Sequence, residues 1–225
     1  MKGVLITFEG IDYSGKSTQF ELLRKVLETL NIPFISFREP GFDKDPKELE
    51  EKIRNLLLDK KNNNMTFPTE VYLFQAARAQ IYGARIIPAV NDCKIALGDR
   101  SGDSSVAYQG YGRYFANPKK VEMIKNYNKF SMQGQKIART YYVDISVEEM
   151  AKRKFNNGRA DDRLDNLELA FYERVRKGYL DIAKEEPDRI MLIDGTKSVE
   201  EIHSIILDDF RDILCKYGQI DPKAL

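Results

Sequence analysis

The run Gly10-Ile11-Asp12-Tyr13-Ser14-Gly15-Lys16-Ser17 constrains the fold more than any other segment of the chain. Val4 to Phe8, just before it, is a short apolar, β-branched run that reads as a strand. Ser17 to Leu30, just after it, carries Phe20, Leu23, Val26, Leu27 and Leu30 at helical spacing. Strand, glycine turn and helix in that order bring a row of backbone N–H groups and the positive end of a helix dipole to one point. The spacing fits GxxxxGK[ST], a cradle for phosphate oxygens. Gly10 and Gly15 let the loop fold back on itself, and Ile11, Asp12, Tyr13, Ser14 and Thr18 complete its wall. Lys16 would reach the β- and γ-phosphates of ATP, and Ser17 would ligate Mg2+.

The rest of the chain alternates short strands with helices. Strands are expected at 34–37, 94–97, 140–145 and 189–193. Helices are expected at 46–58, from 69 to about 91, and at 118–130, 147–155, 167–183 and 199–217. Gly83 and Pro88 complicate the end of the long one. Residues 102–115, rich in Gly, Ser and Tyr, read as an ordered functional loop or an irregular helix start. This order predicts an α/β protein: a three-layer P-loop NTPase fold with a five-stranded parallel sheet flanked by helices and a short helical lid. One domain is expected over 1–217, with the lid at about 151–165 and a tail at 218–225.

Composition narrows the partners. The chain of 225 residues carries 36 Lys plus Arg against 35 Asp plus Glu, so bulk nucleic-acid binding has no support and any anion site must be local. Cys93 and Cys215 lack metal or redox spacing, and His203 lies in an amphipathic stretch, which excludes a His/Cys metal cage. No apolar run approaches a membrane span, and a cytoplasmic location is expected.

A phosphate cradle serves many enzymes. The NKxD run by which GTPases read their base is missing, and the chain is small for a motor, which leaves a small-molecule kinase. Arg38 follows the second strand and Asp99-Arg100 the third, so all three should sit at the sheet edge that holds the cradle. A hydroxyl acceptor would need a general base. A phosphate acceptor, with a second pKa of about 6, is already a nucleophile and needs its charge neutralised. Bidentate arginines suit that task, so Arg38 and Arg100 would hold an acceptor phosphate while Asp99 holds the metal through water. Arg153, Lys154, Arg159 and Arg163 form a further cationic group suited to a closing lid. Glu70, Phe74, Arg78 and Tyr82 share one helix face, where Phe74 would stack on a base and Arg78 would bond its carbonyl edge. The competing reading is core packing, against which stands the cost of burying an unpaired guanidinium.

An ordered set of segments resembles the thymidylate kinase family: FEGIDYSGKSTQ (8–19), REPG (38–41), EKIRNLLLD (51–59), LFQAARAQ (73–80), GDR…SSVAYQG (98–110) and FYERVRKGYL (171–180). The resemblance implies transfer of the γ-phosphate of ATP to dTMP. It implies that Asp12 lies near the sugar 3′-hydroxyl, that Arg38 and Arg100 hold the dTMP phosphate, and that Phe74 and Arg78 take thymine. Ser104, Ser105, Tyr108 and Gln109 would line the nucleoside pocket, with Tyr108 crowding a ribose 2′-hydroxyl. Arg153 would lie by the adenine and Arg163 by the phosphates, with Asp165 nearby. A homodimer built on the helices after strands two and three is implied as well.

Four departures stand out. The family's EPGGT is here Glu39-Pro40-Gly41-Phe42-Asp43, and Ile137-Ala138-Arg139 replaces the usual Pro-Asp before the fourth strand. Tyr13 occupies the loop position where some members carry an arginine, so Arg153, Arg159 or Arg163 would supply that charge from the lid. Ser101 gives Asp-Arg-Ser, as in deoxynucleoside kinases, which keeps thymidine open as the acceptor; Glu39 and Glu9 are then the only carboxylates near enough to serve as base. A nucleotide sensor with a decayed site is the non-enzymatic alternative.

Overall fold

The computed structural model describes residues 2–42, 47–157 and 168–218. Strands β1 (Val4–Glu9), β2 (Phe34–Arg38), β3 (Ile95–Asp99), β4 (Arg139–Asp144) and β5 (Ile190–Asp194) form one sheet in the order β2-β3-β1-β4-β5, every pair parallel. Parallel neighbours need crossover helices, so both sheet faces are covered and the central strands are largely apolar. All six residues of β1 are buried.

Alternation along the strands sorts the core into layers. Val4, Ile6 and Phe8 of β1, with Ile95, Leu97 and Tyr141, point to the face covered by α1 (Lys16–Thr29) and α9 (Val199–Lys216). Leu5 and Ala96 point the other way, onto Ile81, Tyr82 and Ile86. Tyr142 of β4 joins the third cluster, built on α7 (Val147–Asn157) and α8 (Leu169–Glu185). Burial of this kind contributes about 25 cal/mol per Å2 of apolar surface, the main driving force for the fold.

The remaining helices are α2 (Leu49–Leu58), α3 (Phe67–Ile81), α4 (Ile87–Asn91), α5 (Gly102–Ser105) and α6 (Pro118–Ser131). The long helical stretch runs to Asn91 as expected, but through a π turn at Tyr82–Ile86 where Ile87 N–H bonds Tyr82 O. Pro88 has no N–H to give, and the wider turn places it in the first turn of α4, where none is needed. Of the two readings of residues 102–115 the irregular helix holds: α5 continues into a π segment, Val106–Arg113, and a turn follows at 114–116. Strand ends shift by one or two residues; β3 extends to Asp99, pairing with Phe8 on one side and Arg38 on the other. The region expected to form the lid is described only to Asn157; Arg159, Arg163 and Asp165 lie outside the described residues.

Among the described residues no helix is long and apolar enough to cross a membrane, and no three His, Cys, Asp or Glu side chains converge as a metal cage.

Candidate active site

The loop after β1 has the backbone its glycines anticipate. Gly10 has φ +152°, and a Cβ there would lie 2.6 Å from Val143 O. Gly15 has φ +96° and leads straight into α1. Tyr13 is also left-handed, at φ 61°, a conformation that strains a side-chain-bearing residue and is found at ligand sites.

Two clefts meet at this loop. One, of about 510 Å3, is lined by Asp12 to Thr18 with Arg153 and Asn156. The other, of about 190 Å3, lies over the ends of β2 and β3 and includes Arg38, Phe74, Asp99, Arg100 and Tyr108. Asp12, Lys16 and Ser17 line both. A group held in one cleft can therefore meet a group held in the other across Lys16.

Lys16 is buried, with Nζ 3.7 Å from Asp99 Oδ1. Burial, then repulsion from Arg100, lowers its pKa, while Asp99, Asp12 and Glu9 oppose the shift. Burial works against the charge of Asp99, yet Lys16 and Arg100 hold its carboxyl below the usual range. Ser17 Oγ donates to Asp99 Oδ2 at 2.8 Å. Asp99 Oδ1 is buried and accepts no hydrogen bond. A hydroxyl and a carboxylate at one spot, both hard oxygen donors, fit Mg2+, which keeps few protein ligands and takes the rest from water and phosphate.

Arg100 turns back toward the loop because its backbone is left-handed, at φ 74°. Its Nη1 donates to Gly10 O at 2.9 Å, Ser104 Oγ at 3.2 Å and Tyr179 OH at 3.2 Å. Its Nη2 donates to Asp12 Oδ1 at 2.6 Å and Tyr108 OH at 3.2 Å. Tyr108 in turn donates to Asp12 Oδ2 at 3.3 Å. Arg38, at the end of β2, donates from Nη2 to Glu51 Oε2 at 2.9 Å, and its Nη1 is buried with no acceptor. The same Glu51 takes Phe42 N–H at 2.7 Å, so the altered turn after Pro40 is held by α2. Arg85 lies 5.4 Å above the Phe42 ring.

Arg78 differs from the expectation of a side chain kept for a base. It is 1% exposed but not unpaired: its Nε donates to Glu39 Oε2 at 2.8 Å and its Nη2 lies 2.6 Å from the same atom. Nη1 donates to Gln75 and Asn128, and Nη2 to Ser101 O and Ser105 Oγ. Every guanidinium N–H thus has an acceptor. Burial disfavours the charge, but Glu39 outweighs it and raises the Arg78 pKa. The predicted stripe divides: Glu70, Arg78 and Tyr82 are buried, while Phe74 is half-buried and faces the cleft. Gln109, also on the cleft, donates to Glu70 at 3.0 Å.

Arg153 bridges three segments. It pairs with Glu149 at 2.8 Å, donates to Tyr13 O and Ser14 O at 3.3 Å each, and donates to Gly195 O at 2.9 Å. It thus joins the loop to the β5–α9 connection beside the larger cleft.

Sequence reasoning missed Glu51 and Tyr179 and gave Glu9 no positive role. Tyr179 OH donates to Glu9 Oε2 at 2.8 Å across 170 residues, a separation no local spacing can reveal.

The thymidylate kinase family model matches residues 8–206. The chain belongs to the thymidylate kinase family. A thymidylate kinase of Kosmotoga olearia is 43% identical over 216 residues, 96% of this chain and 99% of the relative. One from Thermoanaerobacter sp. is 39% identical over 208 residues, covering 92% and 97%. The crystal structure of thymidylate kinase from Ehrlichia chaffeensis superposes with a TM-score of 0.72 at 29% identity, covering 94% of this chain and 99% of that one.

Proposed function

We propose that the two clefts bind ATP and dTMP and that the chain transfers the γ-phosphate from the first to the second. The observation that carries this reading is their junction at Lys16, with Arg38 and Arg100 lining the smaller cleft and not the larger one. ATP lies along Asp12 to Thr18, with Arg153 beside the adenine. The dTMP phosphate sits between Arg38 and Arg100, whose charges let two anionic groups approach in line. Phe74 stacks on thymine. Arg78 forms the polar floor, meeting a base carbonyl only by sharing an N–H already bonded. Ser104, Ser105, Tyr108 and Gln109 bound the nucleoside, and Asp12 faces its sugar.

Ser17 and Asp99 would hold Mg2+, which neutralises charge on the phosphates. Lys16 stabilises charge that builds on the transferring group. With Tyr13 in the loop, Arg153, Arg159 or Arg163 of the lid would supply the further cation.

Thymidine itself is a poorer acceptor on these grounds. Glu39 is committed to Arg78, and Glu9 already receives four hydrogen bonds, so neither carboxylate is poised as a base for a 5′-hydroxyl. We also propose a cytoplasmic homodimer. Leu49 and Leu56 of α2, Phe67 and Tyr72 of α3 and Phe130 of α6 are exposed on neighbouring helices, a pattern suited to a second copy. Sedimentation at micromolar concentration tests it; a monomer there refutes it.

The deciding assay is a coupled measurement with purified protein, ATP, Mg2+ and a panel of nucleotides. Formation of dTDP from dTMP is expected. Turnover of another monophosphate with none of dTMP would overturn the assignment.

A further inference from the structure

Glu9, the last residue of β1, is fully buried behind the wall of the acceptor cleft. Its Oε1 accepts Ser101 N–H at 2.7 Å and Ser104 N–H at 3.3 Å. Its Oε2 accepts Ser104 Oγ–H at 2.6 Å and Tyr179 OH at 2.8 Å. Those two hydroxyls lie 2.8 Å apart and both accept from Arg100 Nη1. Ser101 immediately follows Arg100, whose left-handed backbone aims its side chain at the phosphate loop. One carboxylate thus anchors the peptide after the strained residue and orients both hydroxyls that receive its guanidinium.

We infer that Glu9 is a positioning residue for phosphoryl transfer, setting the orientation of Arg100 through the charge of its carboxylate. The inference rests on the reading that Arg100 holds the acceptor phosphate.

As a carboxylate, Glu9 only accepts, so Ser104 and Tyr179 turn their protons toward it and their lone pairs toward Arg100. Once protonated, Glu9 must donate to one of those hydroxyls, and its proton competes with Arg100 Nη1 for the same oxygen. Arg100 also loses a neighbouring anion. The charged and titratable groups around Glu9 are Arg100 and Asp103 at the end of β3 and in α5, Lys16 of α1, Asp12 of the loop, Arg78 of α3, Tyr108 of the π segment and Tyr179 of α8. Burial, then repulsion from Asp103, pushes the Glu9 carboxyl up to about 7 against the pull of Arg100. The switch between the two arrangements therefore falls near neutrality.

The test is the pH dependence of kcat/KM for dTMP in the full chain and in Glu9→Gln. Glutamine keeps the shape but donates permanently where the protonated acid would. The wild type should show an inflection near 7 beyond that of the dTMP phosphate itself, at about 6. Glu9→Gln should lose the former and keep the latter. At pH 8 it should raise the KM for dTMP by about tenfold, equivalent to about 1.4 kcal/mol, and leave the KM for ATP unchanged. A merely structural lesion would lower kcat without moving one KM or removing an inflection. Identical pH profiles in the two proteins would overturn the inference. Should Glu9→Gln fail to fold, Ser104→Ala and the wild-type profile decide: no inflection near 7 in the wild type, or an unchanged dTMP KM in Ser104→Ala, overturns it equally. Arg100→Ala separates the two levels. An unaltered dTMP KM in that variant removes the reading of Arg100, whereas a raised KM there with no effect of Glu9→Gln removes the inference alone.

Discussion

Replacing Glu39 by glutamine changes one charge inside the protein and almost no volume. In the native structure the Glu39 and Arg78 side chains are 4% and 1% exposed, and Arg78 meets no other anion within ion-pair distance among the described residues. Its other partners are two amide oxygens, a hydroxyl and a backbone carbonyl, all neutral. Removing one member of a buried pair costs about 3–5 kcal/mol, because the remaining charge stays desolvated. Glutamine still offers an oxygen to Arg78, so the loss should lie near the lower end, about 3 kcal/mol. Against a total stability on the order of 5–15 kcal/mol that is a large fraction. In a chain of this size it lowers Tm by about 6–12 °C. The measurement is urea unfolding followed by far-UV circular dichroism, with calorimetry alongside. The double variant Glu39→Gln, Arg78→Met removes both charges. It should be at least about 1 kcal/mol more stable than the two single losses added together. A loss below about 1 kcal/mol in Glu39→Gln, with an unchanged m-value, would refute the claim that Glu39 holds a buried, charged Arg78.

The other predictions concern catalysis and pH. Lys16→Ala should lower kcat by about 10²–10³-fold in the coupled assay, since Lys16 meets charge present mainly in the transition state; near wild-type kcat would show that the cradle is misassigned. Arg163→Ala should lower kcat more than it raises the dTMP KM, and the reverse split would place Arg163 on the acceptor. The Glu9 carboxyl, raised on folding from 4.5 to about 7, favours the folded state most fully below pH 4.5 and loses that contribution as pH rises through 7. The loss is about 3 kcal/mol by linkage. Denaturant titrations from pH 5 to 8 should show it in the wild type and not in Glu9→Gln; equal pH dependence would refute the buried-acid assignment.

The loop at Gly10 to Ser17 was legible because all its determinants are local. Two glycines, a lysine and a hydroxyl at set spacing between a strand and a helix need no distant partner to define their conformation. The parallel sheet was legible for a related reason, since strands buried on both faces must be apolar and must be joined by helices. Arg38, Asp99 and Arg100 could be placed because each lies at or just after the end of a strand, and parallel register brings those ends together. Arg78 could not be read in this way. Helical spacing put it beside Phe74 but carried nothing about Glu39, 39 residues earlier, which makes its burial tolerable. The π turn before Pro88 escaped because one wider turn leaves the apolar pattern almost unchanged.

By itself the sequence determined that the chain has a glycine loop between a strand and a helix of an α/β sheet, with arginines at the ends of neighbouring strands. Only the tertiary structure decided which charges the arginines meet: Glu51 against Arg38, Glu39 against Arg78 of α3, and Asp12 against Arg100, with Glu9 behind it through Ser104 and Tyr179. Backbone geometry follows from neighbours along the chain. The pairing of buried charges follows from which side chains the packed helices bring within about 3 Å of each other.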